Sequence, residues 1–562
     1  MNAVGGTTPA GWTAFYAPGL ENPIRSEGQT GLTLFDATCT LQPDSPFIHY
    51  VEATLSWAEV DAQSRKGATW LVGKGMAPGE RVALWTQNVP EFVVALLGAW
   101  RAGCAVVPLN PMLRERELLH QLNDSGARIL VAEAALLQEI GMDGLLERSR
   151  LEEVVVVGSV AEAGLDVAGF PVAPYAEVTS GQGSVTGLGH LAPAPEDAAL
   201  LVYTSGTTGL PKAAVISHAN VAHNAHVFRT WAELGQGDVV LGGAPLFHIT
   251  GMMAGICASF ASGCPLVLFY RFRADLCLRM IEQWRATFTV LPSTALRALL
   301  DSPEMKTRDI SSLSKCYSGG APIPAALAAE WERATGFPLY SVYGLTETTS
   351  PSHAAPFGRP VTVDQGSGML SAGIPVQDTT CKVVDEDGRE VPHGEMGELW
   401  IKGPGVISAY WGNPEATEAA LADGYLKTGD VGYRDEKGWF YVVDRKKDMI
   451  NASGFKVWPR EIEEFLVAHP AVAEAAVVGV PDAYRGETVK AFVRLREGQM
   501  LSETELIEWA KGEMAAYKYP RQVQFVAELP KTASGKVLRR ELRSQDGSTA
   551  ARSSAEGEAG RA

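Results

Sequence analysis

The sequence predicts an α/β protein built from more than one domain, and three observations lead to this expectation. Its 562 residues are too many for one compact domain. Segments typical of strands and helices alternate up to about residue 340, which favours parallel sheets with helices packed on their faces. After residue 363 short strands and turns replace this pattern, and a compact α+β pattern follows from residue 447.

The βα alternation is clearest from Arg81 onward. Hydrophobic periodicity and helix-start signals predict strands and helices in the order RVALW, PEFVVALLGAWRAG, CAVVPL, RERELLHQLNDSGA and RILVAE. The order strand, glycine turn, helix and strand returns in KCYSGGAPIPAALAAEWERATGFPLYSVYG. These regions predict two βα-layered subdomains.

A β-rich subdomain is predicted for about residues 364–446. The segment CKVVDEDGREVPHGEMGELWIKG is typical of hairpins that turn at Asp387-Gly388 and at Gly394. With the two βα-layered subdomains it completes a predicted large N-terminal domain of residues 1–446.

Residues 447–545 are predicted to form a small, mobile α+β domain at the C-terminal end. Its pattern combines the helices PREIEEFLVAH and ETELIEWAKGEMAA with the strands AEAAVVGV and VKAFVRLR. Ser502 and Glu505 have the spacing of a capping box at the start of the second helix. The tail, residues 546–562, is small and polar and is predicted to be disordered.

Charge and cysteine content exclude several classes of protein. The 48 basic and 65 acidic residues give a formal net charge of -17, which disfavours binding to nucleic acid or to anionic membranes. The 7 cysteines lack the spacing of a zinc site or of a disulfide framework. The most apolar run is interrupted by Arg101 before it is long enough to span a bilayer. We therefore expect a cytoplasmic protein without a transmembrane segment. These properties are compatible with a homodimer as well as with a monomer.

The stretch LVYTSGTTGLPKAAVISH, residues 201–218, is a candidate phosphate-binding loop. It does not match a Walker loop, in which lysine directly follows glycine, because Leu210 and Pro211 precede Lys212. Gly206 and Gly209 still allow backbone N–H groups to converge on an anion, and the lysine adds charge. Hydroxyl donors come from Thr204, Ser205, Thr207 and Thr208. From these residues alone, a phosphate-binding loop and a solvated surface loop are equally good interpretations.

Four further motifs decide between these two interpretations. After YTSGTTGLPK the chain contains, in this order, YGLTETT, YLKTGD, DRKKDMINASGFKVWPREIE and PKTASGKVLRREL. With these motifs the chain resembles the adenylate-forming superfamily of acyl-CoA synthetases, peptide-synthetase adenylation domains and beetle luciferases, from about Leu34 to Leu542. It looks most like bacterial medium- and long-chain acyl-CoA ligases.

The resemblance implies a ligase that works in two steps and forms AMP. A carboxylate attacks the α-phosphate of ATP to give an acyl-adenylate and pyrophosphate, and the thiol of coenzyme A then displaces AMP. Chemistry of this kind depends on positioning two anions and neutralising their repulsion. A separate acyl carrier protein could replace coenzyme A as the acceptor, and a non-catalytic nucleotide-binding relative is the alternative from another class.

The resemblance also implies roles for individual residues around ATP. The loop 204–209 would hold the β and γ phosphates, with Lys212 beside them. In YGLTE, Tyr343 with Gly344 would contact adenine, Thr346 would contact the α-phosphate, and Glu347 would hold Mg²⁺, for which a carboxylate is a suitable ligand.

Further residues complete the implied nucleotide site. In YSGGAP the residues Gly319, Gly320 and Ala321 would let adenine and the acyl chain approach the backbone. Asp430 would accept hydrogen bonds from the ribose hydroxyls, and Arg445 would support it. Outside these motifs, each of them would be an ordinary turn or surface residue. Lys536 would bridge the attacking carboxylate and the α-phosphate, as the catalytic lysine of the small domain.

The acyl side of the site is predicted around Phe247 and His248. Amino-acid-activating relatives carry Phe-Asp here, so the absence of a counter-charge argues against an amino acid as substrate. His248 could be a catalytic neighbour of the carboxylate or a structural histidine. Gly251 would leave volume and Met252 would form an adaptable apolar wall, which favours a medium or long fatty acid or a bulky polycyclic or aryl acid. The same stretch could be only a core helix.

The last implied roles belong to the second half-reaction. Lys447 would be the pivot of the small domain, and Ser453 and Gly454 would line the path of the coenzyme A pantetheine. In isolation Lys447 would instead be an exposed lysine in a basic turn. One departure from the family is Ala213, where glycine is usual after the loop lysine, and its methyl group could crowd the loop.

Overall fold

The computed structural model describes residues 11–140, 143–161, 170–180, 188–204, 210–321, 323–359, 361–364, 368–452, 455–482, 486–515, 517–532 and 536–543. The predicted tail, residues 546–562, lies outside this part of the chain. Four β-sheets with flanking helices make up the described structure, and the α/β prediction is confirmed. The domain boundaries given above stay predictions.

The first sheet has seven strands. In spatial order they are Val172–Pro174, Glu153–Val157, Ile129–Glu133, Arg81–Trp85, Ala105–Pro108, Ala198–Thr204 and Lys212–Ser217. All neighbouring pairs are parallel except the last, which is antiparallel. The helices of this region are Trp57–Gly73, Pro90–Arg101, Glu115–Ser125, Ala134–Ile140, Asp143–Arg148 and Tyr175–Ser180. The strands and helices predicted from Arg81 onward are confirmed to within about two residues.

The second sheet has nine strands and a parallel centre. In spatial order they are Ile374–Pro375, His353–Ala354, Tyr340–Tyr343, Lys315–Ser318, Phe288–Leu291, Val240–Leu241, Leu266–Leu268, Pro46–Tyr50 and Ala53–Ser56. Its helices are Gly31–Leu41, His218–Trp231, Ala274–Trp284, Ser293–Asp301 and Ala325–Thr335. A further helical stretch runs through Ile249–Gly251, the π-helical turn Met252–Cys257, and Ala258–Ser262.

The third sheet is antiparallel and corresponds to the predicted β-rich subdomain. Its strands are Thr380–Val384, Gly397–Lys402, Tyr425–Arg434, Leu421–Ala422 and Phe440–Arg445, with the helix Pro414–Ala420 beside them. The first two strands pair as a hairpin, and the glycines in its predicted turns, Gly388 and Gly394, have φ of +79° and +83°. Because these angles favour glycine, the turn prediction is confirmed.

The fourth sheet belongs to a smaller α+β unit. Its strands are Phe455–Val457, Ile450–Ala452, Gly486–Leu495, Val472–Asp482 and Gln522–Phe525, and its helices are Pro459–Val467 and Glu503–Glu513. Ser502 Oγ accepts from Glu505 N at 3.2 Å, and Ser502 N donates to Glu505 Oε2 at 2.8 Å, which confirms the capping box. A cluster of buried side chains lying wholly between Ile450 and Val523 gives this unit a core of its own.

The parallel strands of the second sheet place the predicted nucleotide motifs together. Lys315–Ser318 and Tyr340–Tyr343 are neighbours, and YSGG and YGLTE continue from their carboxyl ends. Ligands of open α/β sheets bind at such strand ends. Among the helices of the described residues, none combines the length and apolar character that crossing a bilayer requires.

Candidate functional site

A cavity of about 490 Å³ brings together residues from motifs that are far apart in the sequence. Its walls come from the first and second sheets, the third sheet and the C-terminal segment around Lys536. The predicted site residues among its walls are Thr204, Lys212, Phe247, His248, Gly320, Gly344, Thr346, Glu347, Arg445 and Lys536.

A second cavity of about 190 Å³ adjoins the first. The two share Gly320, Gly344, Leu345, Arg445 and Lys536. The predicted adenosine residues among the walls of the second cavity are Ala321, Tyr343 and Asp430. Two connected cavities, one with the predicted adenosine residues and one with the predicted phosphate and acyl residues, suit a ligand that extends from a nucleoside into a charged tail.

Asp430 contacts two of the other predicted adenosine residues. It is 5% exposed, it accepts a hydrogen bond from Tyr343 Oη at 2.8 Å, and it pairs with Arg445 Nε at 3.1 Å. The pairing of strands Tyr425–Arg434 and Phe440–Arg445 sets Asp430 directly opposite Arg445. Burial and the Asp430 charge raise the pKa of Tyr343 well above its ordinary value, so its hydroxyl stays a donor.

The YGLTE segment forms a rigid turn. Thr346–Thr348 is a 3₁₀ turn in which Leu345 N donates to Thr348 Oγ1 at 2.9 Å. Asn224 Nδ2 donates to the carbonyl of Thr348 at 3.0 Å and so fastens the turn to the helix His218–Trp231. Thr349 follows with φ of +55°, in the left-handed region that is uncommon for threonine. The turn thus holds Thr346 and Glu347 at the cavity wall.

Tyr410 is a site residue that the sequence did not reveal. Its hydroxyl donates to Glu347 Oε1 at 2.7 Å, and Lys212 Nζ lies 4.6 Å from the centre of its ring. A bridge between Ala214 and Tyr410 places this ring beside the strand that begins at Lys212. The residues around it, GVISAYWGNP, contain no chemical pattern that could have indicated the contact.

The carboxylate of Glu347 could hold Mg²⁺. Within the described residues no group of three or more His, Cys, Asp or Glu side chains is arranged to hold a metal ion. Magnesium usually takes one or two carboxylates and completes its shell with substrate phosphates and water. A single carboxylate fixed by Tyr410 in a cavity that also contains Lys212 fits that manner of binding.

Lys536 lies close enough to His248 to influence the protonation of its ring. Burial lowers the pKa of Lys536 to about 8, and the charge of Arg445 acts in the same direction. Burial and the charge of Lys536 lower the pKa of His248 to about 4. Because His248 Nδ1 accepts from Thr250 N at 3.3 Å, the proton of the neutral ring belongs on Nε2.

Thr532 bonds to the backbone of Lys536 and is a second residue that the sequence did not single out. Lys536 N donates to Thr532 Oγ1 at 3.1 Å, and Thr532 N donates to the carbonyl of Lys536 at 2.8 Å. Thr532 also lines the larger cavity. Thr532 therefore supports the backbone that carries the predicted catalytic lysine.

Several predicted site residues lie outside the described part of the chain. They are Ser205, Gly206, Thr207, Thr208, Gly209, Ser453 and Gly454. On either side of the phosphate-loop residues, Thr204 and Lys212 are direct partners in the antiparallel pair of strands.

Gly251 and Met252 have surroundings different from those expected. Both are buried, and a Cβ at Gly251 would lie 2.1 Å from the carbonyl oxygen of Pro245. The expectation that Gly251 leaves volume for a substrate is therefore wrong, because its missing side chain allows the backbone to approach Pro245. Met252 packs in the main hydrophobic cluster.

Glycine is required for a similar reason at Gly319. A Cβ there would lie 2.3 Å from the carbonyl oxygen of Val342 on the neighbouring strand. Its neighbour Gly320 has φ of +79°, a conformation that favours glycine. The YSGG turn thus needs both glycines for its own backbone.

Lys447 lies between Arg445 and the fourth sheet. It is part of the 3₁₀ turn Lys446–Asp448, and burial lowers its pKa. This single short turn connects the strand that carries Arg445 to the strand Ile450–Ala452. Lys447 itself is exposed, which agrees with the alternative interpretation of an exposed lysine in a basic turn.

Ala213 is a strand residue whose side chain packs away from solvent. It is 1% exposed, it belongs to a buried apolar cluster, and its carbonyl accepts from Trp411 N at 2.8 Å. Its methyl group therefore contributes to a core. This arrangement gives no support to the idea that Ala213 crowds the phosphate loop.

Replacing Ala213 by glycine is expected to reduce stability and leave catalysis unchanged. Loss of a buried methyl and gain of backbone freedom should lower the free energy of unfolding by about 1 to 2 kcal/mol. Chemical denaturation measures this loss, and ATP–pyrophosphate exchange should give a KM for ATP within about twofold of wild type. Ala214→Gly, on the other face of the same strand, is the matched control. A large change in the KM for ATP in Ala213→Gly alone would contradict this expectation.

Comparisons with known proteins agree with this arrangement. A family model described as AMP-binding enzyme matches residues 35–411, and one described as AMP-binding enzyme C-terminal domain matches residues 461–536. A long-chain-fatty-acid–CoA ligase of Bacillus subtilis (strain 168) is 34% identical over 559 residues, covering 94% of this chain and 97% of that protein. A feruloyl-CoA synthase of Amycolatopsis sp is 34% identical over 511 residues, covering 90% and 97%.

A solved structure resembles the whole arrangement of sheets. It is the crystal structure of an anthranilate CoA ligase in complex with anthranoyl-AMP, with a TM-score of 0.83 and 29% sequence identity. The match covers 92% of this chain and 97% of that chain.

Proposed function

The chain belongs to the AMP-binding enzyme family and is an AMP-forming acid–CoA ligase, and from that premise we propose that it activates a medium- or long-chain fatty acid. The acid first becomes an acyl-adenylate and then a thioester of coenzyme A. The observation that carries the proposal is the convergence of Asp430, Glu347, Lys212 and Lys536 around two connected cavities. A bulky aryl acid is the second candidate, because the feruloyl-CoA synthase relative is as similar as the fatty-acid ligase.

The acyl end of the site is suited to an anionic headgroup on an apolar body. Phe247 and Ile249 line the larger cavity on either side of His248. The carboxylates among its described walls are Glu117 and Glu347, and neither belongs to this segment. A substrate ammonium group would therefore lack the aspartate that amino-acid-activating relatives provide at the position of His248.

In the first half-reaction the side chains position the reactants. An ionised carboxylate needs no general base, because its oxygen attacks the α-phosphorus directly and the bond to pyrophosphate breaks. Lys536 would donate to the carboxylate and to the α-phosphate, and Thr346 would donate to the same phosphate. Fixed donors of this kind act on the charge that develops in the transition state.

His248 would assist without titrating. Its pKa of about 4 keeps the ring neutral near pH 7, and the Nε2–H is the donor of this tautomer. A neutral donor beside Lys536 adds a hydrogen bond without adding a second cation. We propose that this N–H orients a carboxylate or acyl oxygen.

Magnesium would be held by Glu347, with Tyr410 fixing the carboxylate. When bound, the ion neutralises negative charge on the phosphates and on the departing pyrophosphate. Lys212 and the loop 204–209 would surround the same phosphates.

In the second half-reaction the small domain would rotate about Lys447. Lys536 would leave the cavity, and Ser453 and Gly454 would approach the pantetheine of coenzyme A. The thiolate then attacks the acyl carbon, and the bond to AMP breaks. The short turn Lys446–Asp448 supports a pivot here, because it leads into a unit that has a hydrophobic cluster of its own.

A panel of carboxylic acids tests the proposal. Octanoate, palmitate, oleate, ferulate, benzoate and anthranilate are each incubated with ATP and coenzyme A, and AMP release is measured. The fatty acids should give the highest kcat/KM. A preference for ferulate or benzoate would favour the aryl candidate, and AMP release dependent on a purified carrier protein would favour that acceptor. Absence of ATP–pyrophosphate exchange with every acid would contradict both.

The pKa of Lys536 predicts an alkaline limit to adenylate formation. The lysine must be protonated to donate to two anions, and its folded-state pKa of about 8 is lower than the ordinary 10.5. The protonated fraction, and with it kcat/KM for ATP in pyrophosphate exchange, should therefore fall as pH rises through about 8. Conversion of preformed acyl-adenylate should lack this limb. Lys536→Arg should remove the limb in any activity that the variant retains, and a wild-type profile flat to about pH 10 would contradict the assignment.

A further inference from the structure

A network of charged side chains holds the segment that carries Lys536. We call it the junction cluster, and it consists of Asp444, Asp448, Glu463, Arg539 and Arg543. Arg539 Nη2 donates to both carboxylate oxygens of Glu463 at 2.8 Å, and Arg543 Nη2 donates to Asp448 Oδ1 at 3.0 Å. Arg539 is three residues beyond Lys536, so the network limits where this lysine can lie.

Asp444 occupies a special position in the junction cluster. It precedes Lys447 in the chain, whereas the other members follow it. Its Oδ2 accepts from the backbone N of Arg460 at 2.9 Å, and its Oδ1 accepts from Arg539 Nη1 at 3.3 Å. One carboxylate before the predicted pivot therefore receives two donors from beyond it.

The strand Phe440–Arg445 gives Asp444 a geometric link to the nucleotide site. Successive side chains on a strand point to opposite faces, and Arg445 uses its face to pair with Asp430 at 3.1 Å. Asp444 uses the other face to contact Arg460 and Arg539. The same strand thus contacts the predicted ribose-binding residue Asp430 through one side chain and the segment that carries Lys536 through the preceding one.

Because Asp444 is buried, its carboxylate depends on its hydrogen-bond partners. The residue is 7% exposed, and its carboxylate also accepts from Arg445 N at 2.8 Å. A buried carboxylate is stable only with good partners, and loss of one partner is costly. Rotation of the small domain would have to exchange the two contacts beyond the pivot for water.

We propose that Asp444 is a positioning residue for adenylate formation. By accepting from Arg460 N and Arg539 it docks the small domain in the orientation that places Lys536 in the cavity. The two contacts break when the domain rotates for thioester formation. This inference rests on the two-step reaction proposed above and assigns to Asp444 a role in only the first step.

The test measures the two half-reactions separately in Asp444→Ala and Asp444→Asn. Single-turnover adenylate formation should fall about 10- to 100-fold in the alanine variant, because a misplacement of about 1 Å has effects of that size. The asparagine variant should lose less, since it keeps an acceptor oxygen. Conversion of preformed acyl-adenylate to thioester should stay within about twofold of wild type in both.

Glu474→Gln is the matched control. Glu474 pairs with Arg494 at 2.8 Å and with Lys531 at 2.5 Å, so its ion pairs lie entirely beyond Lys447. Both half-reactions should be unchanged in this variant. Thermal unfolding of each variant identifies any general loss of structure.

Arg539→Lys gives a second route to the same conclusion. Lysine keeps the charge beside Glu463 but cannot bond both carboxylates with the geometry of a guanidinium. If the two residues act through one contact, the double variant Asp444→Asn with Arg539→Lys should lose no more adenylate formation than the single variant that has the larger loss. Additive losses, equal loss of both half-reactions, or unchanged adenylate formation in Asp444→Ala would overturn the proposal. Wild-type adenylate formation tests the proposed function itself, whereas the ratio of variant to wild type tests Asp444.

Discussion

Lys536→Ala should lower the rate of acyl-adenylate formation by about 1000-fold and leave the conversion of preformed acyl-adenylate to thioester nearly unchanged. Removal of one preorganised donor costs about 100- to 1000-fold, and Lys536 also carries the positive charge between two anions. Single-turnover release of pyrophosphate measures the first step. Addition of coenzyme A to synthetic acyl-adenylate measures the second.

Lys531→Ala is the control for this prediction. Lys531 is close to Lys536 in sequence, but its ammonium group pairs with Glu474 at 2.5 Å. Its replacement should change neither half-reaction by more than about twofold. If adenylate formation persists in Lys536→Ala, this lysine is not the catalytic one. That conclusion would hold even if Lys531→Ala has wild-type activity.

Lys447→Pro should preserve acyl-adenylate formation and reduce thioester formation by about 100-fold or more. A 3₁₀ turn has φ close to the value that proline fixes, so the turn Lys446–Asp448 should tolerate proline in the conformation observed. Rotation requires a different backbone conformation, which proline would prevent. The two half-reactions are measured as for Lys536.

Lys447→Ala separates backbone freedom from charge. Alanine removes the ammonium group but leaves φ unrestricted, so thioester formation should stay within about threefold of wild type. A collapse of thioester formation in the alanine variant would show that the side chain acts directly. Equal loss of both half-reactions in Lys447→Pro would show that Lys447 is not the pivot.

The structural elements predicted correctly from the sequence are those whose signals are local. The helix that begins at Pro90, the hairpin turn at Gly388 and the capping box of Ser502 each depend on a few neighbouring residues. Asp430 and Glu347 are candidate site residues because their motifs are short and ordered along the chain. The structure then brings them to the walls of two connected cavities.

The residues that the sequence did not reveal act through contacts between distant segments. Tyr410 reaches Glu347 because a bridge at Ala214 places it there, and the two residues are 63 positions apart with no sign of that contact in the sequence. The expectation of free volume at Gly251 fails for a related reason, since only the fold shows that Pro245 occupies the space beside it. Nothing in the sequence around Asp444 indicates that Arg539 lies beside it.

The separate core of the fourth-sheet unit affects the energetic cost of any domain movement. Its buried side chains between Ile450 and Val523 pack against one another, so a rigid-body displacement would leave that packing intact. Contacts at the boundary would be exchanged for water, such as those of Asp444 and the packing of Trp458 in the main hydrophobic cluster. Two orientations would then differ in these boundary contacts, and a free-energy difference of a few kcal/mol is enough to reverse their populations.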